Sequence, residues 1–94
     1  MNYSADPVVD AFLKSIEHVD FRRPEPESVV DRRARLASMV LTETAEDDIE
    51  SMALCSLASA TLQLCMLPDD LDVMAAFVAA KRGYLEAVIA CHPL

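Results

Sequence analysis

The chain has 94 residues, sixteen acidic against eight basic side chains, a net charge of -8, one glycine and three cysteines. A chain of this length fits one small domain whose core is marginal unless something supplements it. Three cysteines without paired spacing, Cys55 and Cys65 lying about 15 Å apart along one helix, argue against disulfides and leave oligomerisation as the supplement.

The acidic balance disfavours general attraction to nucleic acid or anionic lipid. A single glycine excludes a glycine-rich phosphate loop. The opening MNYSADP lacks the basic and apolar regions of a secretory signal, so the expected compartment is the reducing cytoplasm. Scarce β-branched alternation and abundant Ala, Leu, Met, Glu and Arg predict an all-α fold: a small four-helix protein, one domain over 1–94, associating as a helical homodimer.

Helix 1 is expected over 5–19, with Ser4 as N-cap, Asp6 in the first turn and Pro7 tolerated there. Val8, Val9, Phe12, Leu13, Ile16 and Val19 form its docking stripe, and Asp10 and Lys14 pair opposite. Residues 20–28 form a stiff linker, because Pro24 and Pro26 hold the residues before them extended. Helix 1 can therefore lie on its own subunit or reach to a partner.

Helix 2 is expected over 29–41, with Ser28 as cap and Asp31 completing a capping-box-like pattern. At about 100° per residue, Val29, Val30, Ala34, Leu36, Ala37, Val40 and Leu41 share one arc, and Arg33 falls near its middle. Two readings fit Arg33: a stem packed on apolar surface with its head snorkelling to water, or an interface anchor held by a bidentate carboxylate. Arg32 and Arg35 lie on the polar side, where Asp31 can pair with Arg35.

Helix 3 is expected over 45–67, capped by Thr44, with Glu46, Asp47 and Asp48 near its positive end. Eighteen uncharged residues, Ser51 to Pro68, make it apolar nearly all round apart from Ser56, Ser59 and Gln63. Those polar residues, and acidic flanks without Lys or Arg, weigh against a membrane span. Ala53, Ser56 and Ala60 form a small-residue strip suited to close helix approach, from a symmetry mate or from the same chain.

Helix 4 is expected over 69–91, after Pro68 and begun by Asp69 or Asp70. Leu71, Val73, Met74, Phe77, Val78, Tyr84, Leu85, Val88 and Ile89 form its apolar side; Asp72, Ala75, Ala79, Arg82 and Glu86 form the exposed one. Gly83 marks either close packing or a weak point. Helices 3 and 4 make an apolar hairpin too large for the shorter helices to cover, and the surplus is the argument for a partner.

Candidate chemistry is thin. Cys55, Cys65, Cys91, His18 and His92 show no C-x-x-C, H-x-x-x-H or H-E-x-x-H spacing, so no metal, cofactor or catalysis is expected. The leading reading is a non-catalytic regulator that binds itself and one or more protein targets, and inhibits or sequesters a target by occluding its dimerisation or ligand surface. A transcription factor is one such target, which would make the chain an antiactivator. The expected interface residues are Arg33, Leu36, Val40, Ala53, Ser56, Leu57, Ala60, Leu64, Phe77 and Tyr84. The alternatives are a DNA-associated regulator using Arg22, Arg23, Arg32 and Arg35, and a secretion or assembly chaperone.

Overall fold

Three of the four helices start on an aspartate. The computed structural model describes residues 6–92, with α1 at Pro7–Ser15, α2 at Glu27–Glu43, α3 at Ile49–Met66 and α4 at Leu71–Cys91. Asp6 accepts the Val8 and Val9 N–H groups, Asp48 accepts Ser51 N–H at 2.7 Å, and Asp70 accepts Asp72 and Val73 N–H. Each carboxylate satisfies first-turn donors and complements the positive end of the helix dipole. The Ser51 N–H also holds the Asp48 carboxyl below its ordinary range.

Helix ends depart from the sequence expectation where tertiary contacts intervene. Ser4 lies outside the described residues. The Ser28 cap does not form: α2 begins two residues earlier, on Pro26, whose carbonyl accepts Val29 and Val30 N–H, and Ser28 lies inside the helix. Thr44 closes the end of α2 instead of opening α3, and α3 starts four residues later than expected, because Asp48 is the residue that caps it. Among the described residues Asp31 and Arg35 make no ion pair.

The shortening of α1, from an expected end at Val19 to Ser15, has a specific cause. Its last carbonyls are claimed by two cations from other helices: Arg33 Nε donates to Ser15 O at 3.0 Å, and Lys81 Nζ donates to Ile16 O at 3.1 Å and Glu17 O at 3.4 Å. Positive charge at a helix C-terminus is favourable, and these contacts occupy acceptors that a continuing helix would need.

The central element is α3, packed against α2 on one side and α4 on the other, while α1 packs on α2 of its own subunit. Phe12, Ile16, Ala37, Val40, Leu54, Leu57, Ala58, Leu64 and Phe77 fill one continuous core. Among the described helices α3 alone is long and apolar enough to cross a membrane, by length and composition. Its position between two helices, with Leu54, Cys55, Leu57, Ala58, Ala60, Thr61 and Leu64 buried, accounts for that composition. The Thr61 hydroxyl is hidden by donating to Leu57 O at 2.7 Å. Ser56, Ser59 and Gln63 lie on the exposed strip, as their spacing predicts.

Candidate protein-interaction surface

Most of the expected interface residues belong to the subunit's own core. Arg33, Val40, Leu57, Ala60, Leu64, Phe77 and Tyr84 are buried, Leu36 and Ala53 are half-buried, and Ser56 alone is exposed. The small strip of Ala53 and Ala60 contributes to the side on which α3 meets its neighbours, and Ser56 and Ala60 line a shallow groove with Ala76 and Ala80 of α4.

Arg33 fits neither of its two sequence readings. Its head does not reach water: the residue is 3% exposed. The bidentate carboxylate exists, but it is Glu25 of the same chain, with Nη1 to Oε1 at 2.7 Å and Nη2 to Oε2 at 2.8 Å. These charge-assisted bonds and Nε to Ser15 O satisfy the guanidinium, as burial requires. Glu25 is held below its ordinary value by the hydrogen bonds from Arg33, and the guanidinium is held charged in return.

The four arginines weighed for DNA contact are exposed. Arg23 is engaged with Asp20 at 3.6 Å, and Asp20 also accepts the Arg22 backbone N–H. Arg32 lines a shallow groove between α1 and α2 beside Lys14, and Arg35 stands on the outer face of α2.

Exposed apolar surface remains on the hairpin, and on α4 it is organised along one face. Leu71 is 77% exposed, Val78 43%, Leu85 53% and Ile89 70%, whereas Phe77, Tyr84 and Ala87 alone of that helix are buried. With exposed Ala75 and Arg82, these residues read 71, 75, 78, 82, 85, 89, an alternation of four and three that keeps a straight seam along one face. Ile49 and Met52 at the start of α3, and Met66 and Leu67 at its end, add exposed apolar side chains.

The sequence carried this seam but concealed its role. Apolar residues cover more than half of the α4 wheel, so Leu71, Val78, Leu85 and Ile89 counted with the core side, and only contact with α3 shows which half faces in. Asp72, Ala75, Ala79, Arg82 and Glu86 are exposed as expected.

The other candidate feature is a cleft of about 290 Å³ between α1 and the end of the α3–α4 hairpin. It is lined by Asp6, Val9, Asp10, Leu13, Glu50, Leu54, Tyr84, Val88 and His92. His92 Nε2 lies 2.7 Å from Glu50 Oε1, tying the C-cap of α4 to the first turn of α3. Burial, reinforced by the Glu50 charge, raises the Tyr84 phenol above its ordinary value. Among the described residues no three His, Cys, Asp or Glu side chains come together as a metal site. No protein-family model, curated protein or solved structure matches this chain.

Proposed function

We propose that the chain is a non-catalytic regulatory protein that uses the outer face of α4 to bind protein, both a second copy of itself and a target whose apolar surface it covers. The observation that carries this reading is the exposed seam Leu71, Ala75, Val78, Leu85 and Ile89, interrupted only by Arg82. Sequestering each large apolar side chain from water contributes about 1.5–3 kcal/mol when burial is complete.

The seam suits self-pairing. Placed antiparallel about a two-fold axis at Ala80, it matches itself: Leu71 faces Ile89 of the second copy, Ala75 faces Leu85, and Val78 faces Arg82. Arg82 lies near the middle, where its stem covers apolar surface and its head reaches the rim. A target helix with apolar residues at the same spacing would fit the same groove, so target capture and self-pairing compete for one surface. Inhibition then follows from occlusion of the surface the target uses to dimerise or to bind its ligand. Commitment of Arg33 to Glu25 removes one cation from the basic segment and weighs against the DNA-associated alternative.

Sedimentation equilibrium on the wild type and on the Leu85→Glu/Ile89→Glu variant tests the reading. The expected result is a concentration-dependent dimer for the wild type and, for the variant, a monomer that keeps its helical content and melts at a temperature independent of protein concentration, since neither side chain supports the core. A wild type that stays monomeric at high micromolar concentration and binds no hydrophobic dye would overturn it.

A further inference from the structure

The cleft between α1 and the hairpin end contains a polar group without a counterpart. Tyr84 is 8% exposed, yet its hydroxyl makes no hydrogen bond to any described residue. Buried tyrosines ordinarily find a partner for the hydroxyl. Among the described residues no fully enclosed side-chain N or O atom lacks a partner, so the Tyr84 oxygen is not sealed in the core; it opens onto the cleft that the residue lines.

The surroundings define what would satisfy it. Val9, Leu13, Leu54 and Val88 supply an apolar floor. Three carboxylates, Asp6, Asp10 and Glu50, stand around it, against one lining imidazole, His92, and Lys14, which pairs with Asp10 at 3.3 Å. Asp6 uses one oxygen as the α1 cap, and Glu50 meets His92 through one oxygen. A carboxylate accepts through both of its oxygens, so each retains acceptor capacity. The carboxylates do not cluster as a metal site does. A volume of about 290 Å³ is at the small end for ligand pockets and is ample for one ring or a short alkyl chain.

We propose that this cleft binds a small organic cation, an ammonium group on an aryl or short alkyl body, with the body on the apolar floor and the N–H groups shared between the Tyr84 hydroxyl and the flanking carboxylates. The site is separate from the α4 seam. It stands or falls independently of the protein-binding reading.

Titration of the full chain with phenethylamine, followed by amide chemical shifts, tests the assignment, with 3-phenylpropionate as the anionic match and 3-phenylpropanol as the neutral one. The expected result is saturable shifts confined to Val9, Leu13, Leu54, Tyr84 and Val88 with the amine, weaker binding of the alcohol and none of the acid. Tyr84→Phe removes only the unpaired oxygen and leaves the core intact. It should weaken amine binding about tenfold, the worth of one hydrogen bond to a charged group. Glu50→Gln should weaken it as well. No saturable shift with the amine at about 10 mM, well above the concentration at which a weak fragment complex forms, would overturn the proposal. So would acid binding that equals the amine's, or a Tyr84→Phe chain that binds the amine unchanged.

Discussion

Arg33 and Glu25 join through two parallel hydrogen bonds of 2.7 and 2.8 Å, and the pair clasps the proline-flanked link between α1 and α2 to the body of α2. Because Arg33 also holds Ser15 O, one side chain fixes both the end of α1 and the link that follows it. Breaking a buried pair leaves an uncompensated charge. Glu25→Gln should therefore destabilise the fold by about 3 kcal/mol, and a double change of Arg33→Met with Glu25→Leu should cost less than that single change. Chemical denaturation of the three proteins checks the order.

The same pair predicts acid sensitivity with a definite sign. The folded-state value of Glu25 lies below its ordinary 4.5. Its stabilising contribution is therefore present above that ordinary value and is lost as the pH falls through the folded value. Melting temperature should fall as the pH drops below that ordinary value, and the part of that fall due to Glu25 should vanish in Glu25→Gln. An identical pH profile in the two proteins would contradict the assignment.

Phe77 and Phe21 test how firmly the link is held. Their rings meet edge to face with centroids 6.2 Å apart, but Phe77 is buried and Phe21 is exposed. Phe77→Ala should cost about 3–5 kcal/mol, as large aromatic deletions in cores do. Phe21→Ala should cost about 1 kcal/mol, the lost ring pair and a partial burial. Equal losses would mean that the link is part of the core.

Thiol chemistry separates the three cysteines. Cys91 is exposed, Cys65 is half-buried with Sγ 3.8 Å from Val30 O, and Cys55 is buried. Burial pushes the thiols of Cys55 and Cys65 above their ordinary value, which lowers the thiolate fraction available to react. A neutral-pH alkylation time course should modify Cys91 first and leave the other two largely protected until the fold opens.

Gly83 resolves as a weak point in α4. A Cβ built there meets nothing within 4 Å, and its backbone is helical. Gly83→Ala should add about 0.5–1 kcal/mol by restricting the unfolded chain and improving helix propensity. Thermal unfolding should rise by several degrees. A lower melting temperature would reveal packing against this position in an assembly.

Much of the architecture is legible in residue order. The Pro68–Asp70 break, the Ser56–Ser59–Gln63 strip and the docking stripe of α1 follow from periodicity and breaker chemistry, and all stand in the fold. What periodicity leaves out is the identity of each neighbour. Arg33 reads as an intrusion in an apolar arc because its acceptor, Glu25, belongs to a linker whose path sequence does not give. The end of α1 depends on Lys81, sixty-five residues from Ile16. On α4 the apolar arc is so wide that the wheel does not choose between its two halves, and the half that α3 leaves uncovered became the candidate surface.

Site-specific photo-crosslinking in the native cell tests that surface most directly, with a benzoylphenylalanine probe placed in turn at Val78, Leu85, Ser38 and Arg35. Discrete adducts, a self-dimer and a defined larger species, should form from the two α4 positions and not from the two α2 positions. Adducts from all four positions alike, or from none, would contradict a binding role for the outer face of α4.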